Sequence, residues 1–402
     1  MTDQHDHHAP SLPGWTSEVA ASLRSGLIEG RIPGRVVRVD RGEADVATGG
    51  DDVMRCRTST VAKDVVAGDW VAIDPAAERV DAIAPRRTAF VRRAARGAHR
   101  PQTLAANADM VAAVHALQPG FSPRRLEREL VIIHESGATP IVVLTKADLV
   151  DSVERDAAVE SATAVSLGAA VVAVNNRDGT GIDTLRALLR PGATLALIGA
   201  SGVGKSTIVN RLAGRELIRE GEIRAGDSKG RHTTTAARLL TLDGDLLLLD
   251  TPGVRALALW ESWDGLAATF ADIESLAERC RFPDCLHDDE PGCAVVAATA
   301  DASLPTERLD SWRKLRDEMG ELDAVLTERD RRPNRSRPRS ARSRAGWPAG
   351  EYSATRWARS TSGSAVLEGR DVRCALRRQG RRRRWRGRWQ LPPRRDGGPV
   401  TD

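Results

Sequence analysis

The sequence lacks both a long apolar run and the cysteine density of a disulfide-stabilised protein. No stretch of about 18 consecutive apolar residues occurs, and the first residues, MTDQHDHHAPSL, show no basic start followed by an apolar segment. Five cysteines in 402 residues do not make a disulfide framework, and three of them lie close together. We therefore expect a soluble, cytoplasmic protein without a membrane segment, whose clustered cysteines bind metal in a reducing compartment.

Lysine is missing from the C-terminal stretch 331–402, which carries 21 Arg against 5 acidic residues, a net charge of +16. Because the whole chain carries only +5, residues 1–330 carry −11. The excess of positive charge lies in the tail. The net charge of residues 1–330 therefore does not indicate that this part of the protein binds nucleic acid. The tail is rich in Arg, Ser, Pro and Gly without a helix or strand period, so we predict that it is disordered.

Short β-rich runs separated by turn-like pieces fill the region from Gly34 to about Arg87. The runs are VVRV, ADVA, VMRCR, DWVAI and RVDAI. Several short strands at this spacing predict a small β-barrel over residues 34–90, of which the five-stranded oligonucleotide-binding (OB) type is one, after an N-terminal extension of residues 1–33. Trp70 has two interpretations, a platform on which a base stacks or a packed core residue.

Residues 91–260 change to apolar strands that alternate with helical segments. Strand-like runs include DMVAAVHAL, PIVVLT, AAVVAVN, TLALIG and DLLLLD. A helix is predicted over SPRRLERELVIIHES, with Ser122 as N-cap and Pro123 at the first helical position. Continuous apolar strands of this kind predict an α/β domain with a mostly parallel sheet that is covered on both faces.

The most specific motif is GASGVGKST, which satisfies G-x-x-x-x-G-K-[ST] between the strand TLALI and the helical IVNRLAG. Its glycines let backbone N–H groups surround phosphates, and the helix N-terminus adds the positive end of its dipole. Lys205 is predicted to reach the β and γ phosphates as a catalytic residue, and Ser206 to bind Mg²⁺. The predicted nucleotide-binding residues of this P-loop are Gly199, Ala200, Ser201, Gly202, Val203, Gly204, Lys205, Ser206 and Thr207.

Two downstream segments complete the predicted phosphate side of the site. The strand DLLLLD leads into Asp250-Thr-Pro-Gly253, where the Asp250 carboxylate would hold Mg²⁺ through water and the Gly253 N–H would sense a γ-phosphate. Between this motif and the phosphate loop lies GRHTTT, and Thr234 is the hydroxyl that we predict to close over Mg²⁺ in the triphosphate state. The expected cofactor with the nucleotide is therefore Mg²⁺.

The stretch VVLTKADL ends an apolar strand in a Lys-x-Asp motif, although no phosphate-binding loop precedes it. An Asp at the tip of a strand accepts hydrogen bonds from guanine N1 and N2, a donor pair that adenine does not present. Asp148 is therefore predicted to select GTP over ATP, with Thr145 opening the motif and the stem of Lys146 covering the ring. The next strand ends at Asn175 and Asn176, where a backbone N–H would meet the guanine carbonyl.

These motifs occur in the order base reader, carbonyl contact, phosphate loop, Thr segment and DTPG. This is the usual set of GTPase motifs with the chain cut and rejoined elsewhere, which is a circular permutation. The join is visible, because only Pro191-Gly192-Ala193 separates the helical TLRALLR from the strand TLALIG. The ends of such a domain lie close together, so a short tie joins them without changing the sheet.

A cysteine cluster lies within a helical segment, residues 261–330. It reads Cys280-x4-Cys285-x-His287-x5-Cys293, four soft or borderline ligands within fourteen residues. This set suits tetrahedral Zn²⁺, and a site filled by four protein ligands is structural. The alternative is a group of free cysteines with an incidental histidine.

In this motif order the sequence resembles the circularly permuted, ribosome small-subunit-dependent GTPase family (RsgA, also called YjeQ). The resemblance covers residues 34–325 and rests on TKAD, GASGVGKST, GRHTTT, DTPGVR and CRFPDCLHDDEPGC. It implies an OB-type barrel, then the permuted GTPase domain, then a helical domain with one structural zinc. It also implies a GTP hydrolase that binds GTP, GDP, the small (30S) ribosomal subunit and its rRNA, and acts in late assembly of that subunit. We expect a monomer.

Several positions depart from common GTPase patterns. Thr145 stands where the family's base-reading motif commonly begins with Asn, and a hydroxyl cannot act as an amide, so we expect weaker guanine affinity with specificity retained. Val254 follows DTPG where many GTPases place a water-orienting Gln, so intrinsic hydrolysis should be slow. His232, beside the threonines, is our candidate for the missing polar group, and the alternative is that it packs or contacts RNA. Gly202 replaces the Asn of potassium-dependent GTPases, so we expect no potassium site.

Two other functions compete with this one. The first is a GTP-binding and RNA-binding module with negligible hydrolysis, and the second is an ATP-dependent P-loop kinase, which Asp148 disfavours. The tail also keeps two interpretations, electrostatic binding of rRNA or translation of a GC-rich stretch in the wrong frame.

Only 27 residues separate Gly253 from Cys280. A rearrangement at the γ-phosphate could therefore tilt the zinc domain, so that GTP sets the relative placement of barrel and zinc domain.

Overall fold

A computed structural model of the chain describes residues 12–28, 30–40, 42–59, 62–93, 101–218, 237–242, 246–250 and 262–331. Within these ranges the chain forms an N-terminal barrel, a central α/β domain and a C-terminal group of helices. No helix in these ranges is long and apolar enough to cross a membrane.

Five strands form the barrel, and they are β1 (Ile32–Asp40), β2 (Glu43–Gly49), β3 (Asp52–Thr58), β4 (Trp70–Asp74) and β5 (Arg79–Ile83). Their order is β1-β2-β3-β5-β4, and β4 pairs again with β1, so the barrel is closed. Its interior is filled by small and β-branched side chains such as Val36, Val46, Cys56 and Ile73, as expected where alternate residues of each strand point inward. The prediction of a small barrel is confirmed.

Trp70 is a core residue. Only 2% of its surface is exposed, because helix α1 (Ser17–Leu23) and Trp15 cover it from the N-terminal side. The Trp15 ring meets it edge-on, with centroids 5.4 Å apart, and the Arg35 guanidinium lies 4.7 Å from its centroid. A base has no exposed ring face to stack on, so that interpretation of Trp70 is wrong. Helix α1 lies in the stretch that the sequence predicted only as an extension.

A hairpin of β6 (Ala89–Arg93) and β7 (Pro101–Ala106) precedes the central sheet. The sheet strands are β8 (Met110–Ala116), β9 (Thr139–Thr145), β10 (Ala170–Val174), β11 (Thr194–Ile198), β12 (Arg238–Thr241) and β13 (Leu247–Asp250). Their order is β10-β9-β8-β11-β13-β12, and only β12 runs antiparallel to its neighbour β13. This confirms the mostly parallel sheet.

The helices of this domain are α2 (Pro123–Ser136), α3 (Ser152–Ser166), α4 (Ile182–Ala187) and α5 (Lys205–Ala213). One core joins the sheet to α2 and α3 through residues such as Leu130 and Ala162, and a second joins it to α4 and α5 through residues such as Leu185 and Ile208. Both faces are therefore covered, as predicted. Helix α2 begins at Pro123 after the N-cap Ser122, although the Ser122 side chain makes no capping bond.

The join between α4 and β11 is longer than the sequence indicated. Helix α4 ends at Ala187, so residues 188–193, rather than only the three predicted, connect it to β11. Leu188 and Leu189 donate to carbonyl oxygens three residues back, those of Leu185 (3.2 Å) and Arg186 (3.0 Å), so the α-helical bonding pattern stops before Arg190. A turn closed by a 2.9 Å bond from Ala193 N to Arg190 O completes the connection.

The barrel and the central sheet share hydrogen-bonded strands. Strand β1 pairs antiparallel with β12, with Arg38 opposite Arg238. Arg35 of β1 is 3% exposed and donates to Thr194 Oγ1 (2.7 Å) and to the carbonyl oxygen of Asn107 (3.2 Å). Burial lowers the pKa of Arg35 to about 10, so the residue stays charged at neutral pH. Backbone pairing and one buried cation thus hold the barrel to the sheet.

The C-terminal helices are α6 (Trp263–Thr269), α7 (Ala271–Ala277), α8 (Ala294–Ala300) and α9 (Thr306–Arg331). Phe270, Ile273, Val295 and Trp312 form their core, to which Val131 of α2 also belongs. This segment is helical, as predicted.

Charged side chains attach these helices to α2. Buried Arg308 of α9 donates to Glu127 at 2.7 Å and to Asp272 at 3.0 Å. Arg128 binds Glu318 through two bonds of 2.5 and 2.7 Å. Bidentate Arg–carboxylate pairs of this kind fix orientation as well as distance, so α9 is anchored to the central α/β domain at two places.

Candidate nucleotide site and metal centre

The phosphate loop connects the end of β11 to the start of α5. Gly199, Gly202 and Gly204 have φ values of 137°, 76° and 101°, in the region that favours glycine. A Cβ at Gly199 would lie 2.3 Å from the carbonyl oxygen of Val114 in β8. The glycines therefore shape the loop, which ends at Gly204, the N-cap of α5. The N-terminal N–H groups of that helix point toward the loop and favour an anion there.

Lys205 occupies the first position of α5 with 8% of its surface exposed. Its Nζ donates to the carbonyl oxygens of Gly199 (2.8 Å) and Ala200 (2.6 Å). The ammonium charge thus lies against the loop, where it can reach bound phosphates. Ser206 and Thr207 follow in the first helical turn and are half-buried, whereas Ser201 at the loop tip is exposed.

Strand β9 places the predicted base-reading motif beside this loop. Thr145, its last residue, is fully buried, and its Oγ1 lies 2.5 Å from the carbonyl oxygen of Val203 and 3.2 Å from that of His115. Lys146 adopts a left-handed conformation with φ 59°, which turns the chain into a short 3-10 helix, Ala147–Leu149. Asp148 lies in that helix with an exposed carboxylate.

Asn175 and Asn176, the two residues after β10 that were predicted to meet the guanine carbonyl, make different contacts. The Asn175 N–H donates to the carbonyl oxygen of Thr180 at 2.9 Å, so it closes its own turn and is not available to a base. The Asn176 side chain reaches the phosphate loop, where Nδ2 donates to the carbonyl oxygen of Gly204 at 3.3 Å. Of the two predicted positions, Asn176 is therefore the one beside the loop.

These contacts bring together motifs that are far apart in the sequence. Because β10, β9, β8 and β11 are parallel neighbours, their carboxyl ends lie at one edge of the sheet, where nucleotides bind in open α/β domains. Thr145 and Asn176 each contact the loop that carries Lys205. The base-reading and phosphate-binding motifs therefore meet, as the permuted order predicts.

The remaining predicted residues of the phosphate side are only partly within the described ranges. Asp250 ends β13, which runs parallel to β11 with Leu249 opposite Ala196, so its backbone lies at the edge that carries the loop. His232, Thr234, Gly253 and Val254 lie outside the described residues.

The four predicted metal ligands form one cluster. The ligand atoms of Cys280, Cys285, His287 and Cys293 all lie within 4.8 Å of one another. His287 Nδ1 is 3.6 Å from Cys280 Sγ and 3.4 Å from Cys293 Sγ, and those two sulfurs are 3.9 Å apart. A tetrahedron with metal–sulfur bonds of about 2.3 Å and a metal–nitrogen bond of about 2.0 Å requires separations of about 3.8 and 3.5 Å. The separations among Cys280, His287 and Cys293 therefore fit a single metal ion, with Cys285 within 4.8 Å of each, and a Cys280–Cys293 disulfide is excluded at 3.9 Å.

The loop that carries His287 is held from two sides. Glu290 accepts bonds from the N–H groups of Leu286 (2.8 Å) and Asp288 (2.9 Å), and Arg313 of α9 donates to the His287 carbonyl oxygen at 3.0 Å. Burial raises the pKa of Cys285 to about 12, so this thiol becomes a thiolate ligand only when a cation is present.

One contact beside the predicted base-binding motifs has no clear sign in the sequence. Arg211 of α5 donates to the carbonyl oxygens of Arg177 (2.6 Å) and Asn176 (3.4 Å), which ties the turn after β10 to the helix of the phosphate loop. An exposed arginine on a helix usually indicates a solvated face. Only the tertiary placement of the turn reveals its role.

The fold and the site together define a P-loop GTPase-type domain with permuted strand order, flanked by a closed barrel and a Cys₃His cluster. A family model described as RsgA GTPase matches residues 83–260. The RsgA protein of Streptomyces coelicolor is 43% identical over 340 residues, which cover 82% of this chain and 92% of the relative. That of Streptomyces avermitilis is 44% identical over 315 residues, 76% of this chain and 85% of the relative. The chain belongs to the RsgA GTPase family.

Solved structures agree on the fold. YjeQ from Thermotoga maritima matches with a TM-score of 0.55 and 24% identity, over 72% of this chain and 98% of that one. YloQ, described as a circularly permuted GTPase, matches with a TM-score of 0.52 and 23% identity, over 76% of this chain and 98% of that one. The permuted order inferred from the motifs is therefore confirmed.

Proposed function

We propose that this protein hydrolyses GTP on stimulation by the small ribosomal subunit and acts in late maturation of that subunit. The observation that carries the nucleotide site is the contact of Thr145 and Asn176 with the loop of Lys205. The curated relatives are named small ribosomal subunit biogenesis GTPases, which supports the biological role.

The residues of the phosphate side have two tasks, binding the phosphates and holding Mg²⁺. The loop N–H groups and Lys205 bind the phosphates. Ser206, with Thr234 in the triphosphate state, would hold Mg²⁺ directly, and Asp250 would hold it through water, since oxygen atoms are the donors that Mg²⁺ prefers. When bound, the ion would neutralise charge on the β and γ phosphate oxygens. The Gly253 N–H then distinguishes GTP from GDP.

The base side supplies specificity. The exposed Asp148 carboxylate accepts from guanine N1 and N2, and adenine leaves it unpaired, which makes ATP binding costly. Val254 cannot orient water, so we propose that intrinsic hydrolysis is slow and that His232 supplies the missing polar group when the ribosomal subunit is bound.

The Cys₃His cluster is proposed to hold one structural zinc. Three sulfurs and one nitrogen at the observed separations are the donor set and spacing of such sites. Replacing Cys280 with Ser should abolish stoichiometric zinc, measured by a metallochromic dye after denaturation, and should lower the melting temperature. A Cys56→Ser variant is the matched control, because Cys56 lies in the barrel core. Unchanged zinc content in the Cys280 variant would contradict the assignment.

The barrel and the zinc domain are proposed to contact rRNA, with the barrel of the OB type, in a monomeric cytoplasmic protein. Two ion pairs between α2 and α9 support a version in which the zinc domain moves together with α2, not independently of it. GTP would then set the placement of this unit relative to the barrel. Equal binding of the GTP-bound and GDP-bound protein to small subunits, measured by cosedimentation, would contradict this hypothesis.

The decisive assay is release of inorganic phosphate with purified small subunits, with large subunits as the control. We expect slow release by the protein alone, strong stimulation by small subunits and none by large subunits, with GTP but not ATP as substrate. Nucleotide binding without any stimulated release would favour the alternative, a GTP-binding RNA-binding module. A protein truncated after Asp330, in the same assay, separates a functional tail from an unused one.

A further inference from the structure

Position 145 offers the loop only a hydroxyl. Thr145 is fully buried, and its single hydroxyl hydrogen is shared between the carbonyl oxygens of Val203 (2.5 Å) and His115 (3.2 Å). The base-reading strand thus binds one carbonyl of the phosphate loop. It has no amide with which to bind the next carbonyl, that of Gly204.

Asn176 binds that next carbonyl. Its Nδ2 donates to Gly204 O at 3.3 Å. The side chain lies so close to the loop that a Cβ on Gly204 would be 2.2 Å from Nδ2 and 3.8 Å from the Cβ of Thr145. Two consecutive loop carbonyls are therefore bound from the ends of two neighbouring strands, one by a hydroxyl and one by an amide.

The other end of the amide has no partner. Asn176 Oδ1 is buried and makes no hydrogen bond within the described part of the chain, although an unpaired buried acceptor destabilises a folded protein. In the same turn the Oδ1 of Asn175 is satisfied by the Arg177 N–H at 2.8 Å. A side chain kept only to stabilise the turn would resemble Asn175, so Asn176 has a different role.

We propose that Asn176 is a positioning residue for the phosphate loop and supplies the amide that position 145 lacks. It acts by fixing the Val203–Gly204 segment, the entry to the helix that carries Lys205 and Ser206. This inference rests on the proposed GTP site and deepens it. Because Asn176 acts through the loop, it should affect GTP, GDP and ATP alike, while Asp148 alone sets the preference for guanine.

The test compares nucleotide affinity by titration calorimetry with the melting temperature of the nucleotide-free protein. Asn176→Ala should weaken GTP and GDP binding about tenfold, the upper end of the range for one lost hydrogen bond between neutral groups. The ratio of GTP to ATP affinity should stay as in the parent. The melting temperature should change by less than about 2 °C, since the lost bond is offset by removal of an unpaired buried oxygen.

The rescue variant moves the amide to the neighbouring strand. Thr145→Asn, of similar volume, should restore the affinity of the Asn176→Ala protein to within about threefold of the parent, and should gain less in the parent background. Asp178→Ala is the matched control, because it removes a 2.8 Å bond to the Thr180 N–H in the same turn without touching the loop. It should leave affinity unchanged.

Each other outcome overturns the inference. If Asn176→Ala binds nucleotide as tightly as the parent, Asn176 does not position the loop. If the variant has a much lower melting temperature or fails to fold, the role of Asn176 is structural. If the variant loses the preference for guanine, Asn176 reads the base. Failure of Thr145→Asn to restore affinity removes the claim of a substituted amide. The nucleotide preference of the parent protein distinguishes failure of the proposed function from failure of this inference. If it shows no preference for GTP over ATP, the proposed function fails, whereas a GTP-selective parent with an unaffected Asn176→Ala variant refutes only this inference.

Discussion

The two sides of the nucleotide site are built in different ways. The loop that carries Lys205 is one continuous piece, in which β11, a glycine loop and α5 follow each other. The base side is assembled from the ends of β8, β9 and β10, through His115, Thr145 and Asn176. The first needs only local conformation, whereas the second needs the whole sheet to hold three strand ends in register. Changes on the two sides should therefore have different consequences.

The largest effect is expected on the phosphate side. Lys205→Ala removes the charge that we propose reaches the β and γ phosphates and should lower phosphate release at least about 100-fold, with and without small subunits. The assay is single-turnover release of inorganic phosphate. Lys63→Ala, an exposed barrel residue, serves as the control in the absence of subunits. Retention of parental rates by the Lys205 variant would refute its catalytic assignment.

A smaller effect is expected where the two sides meet. Gly204→Ala introduces a Cβ only 2.2 Å from Asn176 Nδ2 and a left-handed conformation that costs roughly 1–2 kcal/mol. We expect GDP affinity to fall roughly tenfold or more, measured by calorimetry.

Gly168→Ala separates the backbone cost from the contact. Gly168 has φ 95°, and a Cβ added there would meet nothing within 4 Å, so this variant should lose stability but keep its GDP affinity. Equal affinities in the two alanine variants would mean that the Gly204–Asn176 contact is unimportant.

The smallest effect is expected from the hydroxyl of the base side. Thr145→Val keeps the shape but leaves the Val203 and His115 carbonyl oxygens without their donor, which should cost about 1 kcal/mol of stability and a few-fold of GTP affinity. Thr145→Ser keeps the hydroxyl and should keep the GTP affinity of the parent, although loss of the buried methyl group should cost about 1 kcal/mol of stability. GTP titration of the pair provides the measurement, and a Val variant that binds GTP as tightly as the Ser variant would contradict the role of this bond.

Structural features that depend only on residues close together in the chain could be predicted from the sequence. The phosphate loop, the strand before it and the helix after it follow from GASGVGKST, and the metal cluster follows from cysteine spacing. Local chemistry explains these cases because each conformation is fixed within a few residues.

Contacts between distant strand ends could not be predicted in the same way. Nothing in the sequence of Asn175 and Asn176 indicates that the first closes its turn while the second binds Gly204. The sequence also does not predict that Arg308 of α9 binds Glu127 of α2, 181 residues away. Each of these side chains alone indicates only a solvated charge. Trp70 was ambiguous because α1, which covers it, carries no strong helical pattern. In each case the partner, not the residue itself, determines the role.

One competition experiment tests directly whether Asp148 and Lys205 act on the same nucleotide. Asp148→Asn replaces an acceptor with an amide that can donate to the C2 carbonyl of xanthine, where guanine carries an amine. The variant should hydrolyse xanthosine triphosphate in preference to GTP, with GTP affinity reduced at least about 100-fold, and this activity should vanish when Lys205→Ala is added. A folded Asp148→Asn protein that still prefers GTP would show that the purine is read elsewhere and that the two motifs do not share one ligand.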